Sequence, residues 1–125
     1  MNFPSDLKYT KDHEWLRIEG TTGTIGVTDF AQGELGDVIY LDLKEGITVN
    51  AHESVGTIEA VKTVSDLFTP VSGKVLEVHS ALNDTPETVN KDPYGEGWLV
   101  KIQMSNPKEA ETLLSVDEYK KLIGQ

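Results

Sequence analysis

Short stretches of β-branched and aromatic residues, separated by glycine and other turn-forming residues, recur along most of this chain. Seven such stretches are typical of strands, at residues 14–18, 22–27, 38–43, 53–60, 63–69, 73–78 and 98–104. Short strands at this density favour two packed sheets or a flattened barrel over a single open sheet. We therefore predict an all-β fold, a flattened barrel-sandwich of two sheets with short helices at its periphery.

Sequence patterns typical of helices occur only in one connection between predicted strands and in the C-terminal tail. In residues 29–32, Asp29 is an N-cap residue and Gln32 follows it three residues later, the spacing of a capping box. This pattern predicts a short helix that stops near Gly36. Two further short helices are expected over about 107–123. The first is expected to start at Asn106, Pro107 and Glu109. The second is expected to start at the capping-box pair Ser115 and Glu118 and to stop at Gly124.

The length of 125 residues fits one domain, and no linker or low-complexity segment divides it, so we expect a single unit over 1–125. The chain contains no cysteine. This excludes a disulfide framework, a cysteine nucleophile and a zinc ribbon, and any thiol chemistry must arrive on a cofactor. The three histidines, at 13, 52 and 79, show no metal-ligand spacing, so no metal site is predicted.

Acidic residues outnumber basic ones by 21 to 11, for a formal net charge of −10. Nucleic acid and anionic membrane surfaces repel such a chain and are poor partners, whereas basic protein surfaces attract it. No apolar run approaches the length of a membrane helix. Residues 1–6 lack the features of a signal or transit peptide, so we expect a bacterial cytoplasmic protein.

The most informative stretch is a predicted hairpin over about 53–73 with Val61 and Lys62 at its turn. Tight hairpins favour Asn, Asp or Gly at the turn, and this one has none. Folding alone does not explain the choice of Lys62. A lysine at a hairpin tip is also compatible with a purely solubilising role, and the hairpin by itself leaves both interpretations open.

The residues around this lysine resemble a known modification site. Residues 59–66, EAVKTVSD, followed by PVSG at 70–73, are similar to the lipoyl-attachment site of the glycine cleavage H-protein family. Biotin carriers place methionine on both sides of the lysine, where this chain has Val61 and Thr63. Lipoyl domains of the 2-oxoacid dehydrogenases have Asp before the lysine. The H-protein version of the motif fits best.

The resemblance extends over about residues 9–124. Similar motifs occur at residues 9–15, 26–32 with 35–37, 90–94 with 97–98, and in the tail at Asp117 and Tyr119. The chain departs from the usual family pattern at Ala60, Thr63 and Val64, and these changes leave the lysine and both flanking acids in place. Together the motifs imply a lipoyl-domain-like fold.

The resemblance also implies a function. Lipoate would be attached covalently to Lys62, and Glu59, Val61 and Gly73 would be recognised by the lipoate-attaching enzyme. The partners would be a pyridoxal-phosphate glycine decarboxylase, a tetrahydrofolate-dependent aminomethyltransferase and dihydrolipoamide dehydrogenase. The chain would carry the aminomethyl group of glycine between them without catalysing a step, most simply as a monomer.

An aminomethyl group carried on sulfur is fragile, and a cleft that limits water and pairs its ammonium would protect it. We hypothesise that Glu14 and Asp66 line such an arm-docking cleft, from motif position and charge. Three other functions remain open: a relay of lipoate or a carrier for another lipoylated system, an unmodified binding module, and an enzyme. The enzyme is disfavoured because no nucleophile–base pair, phosphate loop or metal set is evident.

Overall fold

The computed structural model describes residues 1–125 and contains nine strands in two antiparallel sheets. The strands are β1 (Lys8–Tyr9), β2 (Glu14–Glu19), β3 (Thr22–Val27), β4 (Val38–Leu43), β5 (Thr48–Val49), β6 (Ser54–Ala60), β7 (Val64–Phe68), β8 (Gly73–Val78) and β9 (Val100–Met104). The helices are α1 (Ala31–Leu35), α2 (Thr88–Lys91), α3 (Val116–Leu122) and the 3₁₀ helices Ser80–Asp84 and Pro107–Thr112.

The larger sheet has the order β1-β2-β3-β9-β8-β5, and the smaller one has the order β4-β6-β7. All seven predicted strands are present, each within two residues of its predicted bounds. The sequence missed β1 and β5, which contain two residues each and carry no periodic pattern. The predicted two-sheet, all-β architecture is confirmed.

One apolar cluster holds the two sheets together. It includes inward-facing residues of both sheets, such as Ile25 and Ile102 from the larger sheet and Ile58 and Leu67 from the smaller one, all at most 2% exposed. Side chains alternate between core and solvent along β9, as expected for a strand with one buried face. In the smaller sheet Ile58 and Leu67 are buried while the neighbouring Glu59 and Asp66 are exposed, so its inner face is in the core and its outer face is free.

A second cluster, made of aromatic residues, packs the C-terminal helix against the edge of the larger sheet. The rings of Tyr9 and Tyr119 stack with centroids 4.8 Å apart, and Trp15 is fully buried beside them. The hydroxyl of Tyr119 also lies 2.9 Å from Nδ1 of His13 and 2.7 Å from Oγ1 of Thr28. The tail is thus part of the folded domain.

The last helix begins as its sequence predicts. Ser115 and Glu118 form a capping box at the start of α3, in which each side chain bonds the backbone N–H of the other residue. The helix ends before Gly124, whose φ is +79°. Helix α1 likewise ends at Gly36, with φ of +74°, as predicted.

The predicted side-chain caps of the other two helices are wrong. Asp29 does not cap α1, since its carboxylate accepts a hydrogen bond from the side chain of Gln32. Glu109 does not cap back either, because its carboxylate accepts from the backbone N–H and the hydroxyl of Ser72 in another part of the fold. Asn106 precedes the 3₁₀ helix without a side-chain cap. A neighbouring side chain has replaced the cap at Asp29, and a distant one has replaced it at Glu109.

Gly73 provides a test of how tightly the sheets are packed. It is buried at the start of β8 with φ of +157°, and a Cβ there would overlap the backbone carbonyl oxygen of Gln103. We expect Gly73→Ala to lower the free energy of unfolding by about 2–4 kcal/mol. Chemical denaturation measures the effect.

Gly33 is the matched control, because a Cβ there meets no atom within 4 Å and the residue lies inside helix α1. Gly33→Ala should change stability by no more than about 1 kcal/mol, toward greater stability. Equal effects of the two substitutions would contradict the steric explanation for Gly73.

Candidate functional site

Lys62 lies in the three-residue connection between β6 and β7, with its neighbours Val61 and Thr63. All three side chains are exposed. The connection is closed by a hydrogen bond from the N–H of Ala60 to the carbonyl of Thr63, at 2.9 Å. None of these residues has positive φ. The turn therefore has no need of glycine or asparagine, which explains its unusual composition.

The turn does not project freely into solvent. The N–H of Val61 donates to the carbonyl of Asp37 at 2.9 Å, and the N–H of Lys62 donates to the carbonyl of Leu35 at 3.0 Å. Both acceptors belong to the segment by which the chain leaves α1 and enters β4. These two bonds fix the backbone of the lysine to a neighbouring element rather than leaving it to the hairpin alone.

The Lys62 side chain lies along the end of α1. A Cβ on Gly36 would come within 3.1 Å of its Cγ, so the lysine stem packs against a bare backbone. Its Nζ donates to the carbonyl of Gly33 at 3.0 Å, and no carboxylate lies within 4 Å of it. The amine is thus exposed and held by one neutral acceptor, which a covalent modification can displace at little cost.

The outer face of the smaller sheet surrounds this turn with apolar and acidic side chains. Tyr40, Glu59 and Val64 pair across β4, β6 and β7 and share one face. Tyr40 is 51% and Val64 62% exposed. A β-bulge between Val38 and Tyr40 leaves Ile39 unpaired and half exposed. The three strands contain no Lys or Arg, so the face is acidic.

The three residues predicted to mark the modification site lie in different surroundings. Glu59 and Val61 are exposed next to the lysine, the latter by 68%. Gly73 is buried in the larger sheet, where it pairs with Val49 and Met104. Steric exclusion of a side chain at Gly73 accounts for the glycine there. Recognition of the three by an enzyme stays a prediction.

Glu14 is a buried carboxyl group that connects the two sheets. Its Oε1 accepts from the hydroxyl of Thr10 at 2.9 Å, and its Oε2 accepts from the N–H of Phe68 in β7 at 3.0 Å. Glu14 is only 3% exposed. Desolvation by burial raises its pKa to about 8, although both hydrogen bonds favour the charged form.

Asp66 lies two residues before Phe68 on the same strand. It is exposed and accepts a hydrogen bond from the hydroxyl of Ser54 at 3.2 Å. Glu14 is thus hydrogen-bonded to the strand that carries Asp66. The carboxyl group of Glu14 is buried, and that of Asp66 is exposed to solvent. Their joint role in binding an arm stays a prediction.

Three surface cavities, of about 180, 200 and 360 Å³, lie elsewhere on the molecule. None is lined by Lys62, Glu14 or Asp66. No group of three or more His, Asp or Glu side chains is arranged to hold a metal ion. Lys62 and its surroundings are consequently the best-defined candidate site.

Sequence reasoning found the lysine and missed the residues that hold its turn. Leu35 and Asp37 act through backbone carbonyls, and the side chain of Asn90 bonds the backbone of Gly36 and Val38 on either side of Asp37. Residues 35–37 and 90–94 were visible as motifs of the family pattern, without a role. Backbone acceptors leave no chemical signature in a sequence, and only the pairing of these two motifs could have suggested a contact.

A family model described as "Glycine cleavage H-protein" matches residues 7–125 of the chain. The chain belongs to this family. It is 52% identical over 125 residues to the glycine cleavage system H protein of Bacteroides thetaiotaomicron, with 99% of each chain covered. It is 54% identical over 127 residues to that of Chlorobium phaeobacteroides, again with 99% of each covered.

The fold agrees with a solved member of the family. The crystal structure of a glycine cleavage system H protein from Mycobacterium marinum superposes with a TM-score of 0.89 and 42% sequence identity. The match covers 98% of this chain and 100% of that one. The predicted family and fold are confirmed, as is the assignment to non-catalytic carriers of the glycine cleavage system. The helices are all too short or too polar to cross a membrane.

Burial of Glu14 predicts a pH dependence of stability. The folded protein retains the proton up to about pH 8, whereas an unfolded chain loses it near the ordinary value of 4.5. The group's contribution to stability is therefore complete below pH 4.5 and is lost as pH rises to 8, by up to about 4–5 kcal/mol.

Glu14→Gln keeps an acceptor for Phe68 and has no proton to lose, so its unfolding free energy should fall less over this range. Subtracting the two urea-denaturation profiles, measured from pH 5 to pH 9, isolates the contribution of this group. Parallel profiles would show that Glu14 ionises in the folded protein as it does in water.

Proposed function

We propose that this chain is the lipoyl-bearing shuttle of a glycine cleavage system, with the lipoyl group attached to Lys62. It carries the aminomethyl group of glycine from the decarboxylase to the aminomethyltransferase and presents the dithiol to dihydrolipoamide dehydrogenase. The single observation that carries the proposal is the presentation of Lys62. Its amine is exposed while its backbone is hydrogen-bonded to the exit of α1, in a chain of the H-protein family.

The residues around Lys62 fit a lipoyl group. An amide bond to the lysine consumes the amine, and here that amine is exposed and gives up one hydrogen bond, to Gly33. When bound, lipoate supplies a disulfide–dithiol couple at the end of a long flexible tether. The chain itself has no cysteine that could exchange with it. A fixed backbone and a mobile side chain are what such a tether requires from its support.

The face of the smaller sheet suits transient docking of several proteins. Its exposed Tyr40, Val61 and Val64 provide apolar contacts around the lysine, and its acids give it one sign of charge. Partner surfaces with a basic rim complement such a face and associate faster through it. We assign the three enzymes of the cycle and the lipoate-attaching enzyme to this face. The shuttle works as a monomer in the bacterial cytoplasm.

Recognition by the lipoate-attaching enzyme depends on exposed side chains at fixed distance from the lysine. Glu59 and Val61 meet this condition, since both are exposed and both belong to hydrogen-bonded backbone. Gly73 contributes by allowing β8 to pack against β9, because any side chain there would collide with Gln103. Its share in recognition is therefore indirect.

The carboxyl groups of Glu14 and Asp66 protect the cargo in this proposal. In this proposal, an ammonium group brought to β7 by the arm pairs with two carboxyl groups. One is the exposed Asp66, and the other is the buried Glu14, which is hydrogen-bonded to Phe68. Because the raised pKa of Glu14 leaves it protonated near neutral pH, pairing with a cation releases that proton. Binding of the cargo should therefore strengthen as the pH rises toward 8.

Intact and peptide mass spectrometry test the attachment site. Protein produced in cells supplied with lipoate should gain one lipoyl mass on Lys62, and Lys62→Arg should abolish the gain. Lys74→Arg is the control, since Lys74 is exposed on the other sheet and should leave the gain unchanged. If Lys62 stays unmodified while the lipoate-attaching enzyme modifies a second substrate, the shuttle function is refuted and the chain is an unmodified binding module.

The protective role of Glu14 and Asp66 is measured by the decay of aminomethyl-loaded protein in isolation. Glu14→Gln and Asp66→Asn should each speed the loss of the group several-fold, because each removes a partner of the ammonium. Asp42→Asn is the control, since Asp42 and Asp66 pair with Thr57 from opposite sides, which places Asp42 two strands away from Asp66. Decay equal in all four proteins would remove both residues from the site.

A further inference from the structure

Two asparagines outside the sheets bond the backbone of β4 and its entry in the same way. The amide of Asn83 accepts from the N–H of Leu41 at 2.8 Å and donates to the carbonyl of Leu41 at 3.0 Å. The amide of Asn90 accepts from the N–H of Val38 at 2.9 Å and donates to the carbonyl of Gly36 at 3.0 Å. Each side chain therefore acts as a two-bond clamp on the chain.

The two clamps hold functionally different segments. Asn83 acts in the middle of β4, where Leu41 also pairs with Ile58 in the sheet. Asn90 acts on the link between α1 and β4, on either side of Asp37. That link accepts the hydrogen bonds of the lysine turn, from Val61 to Asp37 and from Lys62 to the adjoining Leu35.

We propose that Asn90 is a positioning residue for Lys62, acting through the link from Gly36 to Val38. With both ends of Asp37 held by one amide, the carbonyls of Leu35 and Asp37 stay aligned toward the turn. The backbone of Lys62 is then presented to an attaching enzyme in one position. For its effect on lipoylation this inference rests on the proposed function, whereas its effect on the turn itself does not.

The chemistry of the clamp accounts for the residue type. One bond requires a side-chain acceptor and the other a side-chain donor, a few ångströms apart on a short planar group, which asparagine supplies. Aspartate would keep the acceptor for Val38 and place a second oxygen opposite the carbonyl of Gly36. Gly36 itself has φ of +74° and contacts the stem of Lys62, so a loosened link changes the surface against which the lysine packs.

The experiment compares Asn90→Ala with the matched variant Asn83→Ala, using amide hydrogen exchange by NMR on the unlipoylated protein. Asn90→Ala should speed exchange of the Val61 and Lys62 amides about tenfold relative to wild type, the loss expected for about one net hydrogen bond. Asn83→Ala should leave these two amides unchanged while lowering the melting temperature to a similar extent. Should Asn90→Ala fail to fold, Asn90→Asp should give a smaller change in the same direction.

Lipoylation kinetics with a purified lipoate-attaching enzyme supply the second readout. The kcat for Asn90→Ala should fall several-fold with little change in KM, since the exposed docking face is unaltered, and Asn83→Ala should match wild type. Equal exchange at Val61 and Lys62, or equal kcat, in both variants would overturn the positioning role. Wild-type protein that accepts no lipoate would instead refute the proposed function, and the exchange comparison would still decide the role of Asn90.

Discussion

The presentation of Lys62 depends on two backbone hydrogen bonds, from the N–H groups of Val61 and Lys62 to carbonyls at the end of α1. In a simple hairpin the turn's N–H groups point to water and the loop moves with its strands. Here they have protein partners on a third element. The bonds join the hairpin, α1 and the start of β4 into one support, and the free motion is left to the side chain.

Burial of Glu14 is the complementary constraint, because it links the larger sheet to β7 through one carboxyl group. Placing an acid at 3% exposure costs stability unless its oxygens are bonded or it keeps its proton. Both of its oxygens accept hydrogen bonds, and its pKa is still raised to about 8. Near neutral pH the group therefore keeps its proton, and the two sheets are joined by a carboxylic acid rather than by a carboxylate.

Most of the fold could be predicted from the sequence, but only part of the candidate site could. The strands were predicted from short β-branched and aromatic stretches bounded by turn residues, a signal that does not depend on alternation. Only β9 alternates cleanly between core and solvent, whereas β2 and β3 have consecutive buried residues. Caps depend on which partner is nearest in space, and Asp29 and Glu109 were wrong because Gln32 and Ser72 bind them instead. Lys62 was identified from its flanking motif.

The support of Lys62 was not visible in the sequence because it consists of backbone groups and of contacts between distant residues. Asn90 acts on a segment more than fifty residues before it. Its motif resembled the family pattern, and nothing local to it indicated a link to the lysine. The strand pattern also did not indicate that Tyr40 and Val64 would lie exposed on one face beside the turn, since that depends on the cross-strand register.

The topology has a consequence for the order of events in the life of the chain. The central pairing of the larger sheet joins Thr22 to Gln103, and the clamp on the lysine's support comes from residue 90. Contacts of such long sequence separation form late, after most of the chain has been synthesised and collapsed. The two hydrogen bonds from Asn90 to the link before β4 can therefore form only after residue 90 has been synthesised, and the full set of contacts around the lysine turn belongs to the finished domain.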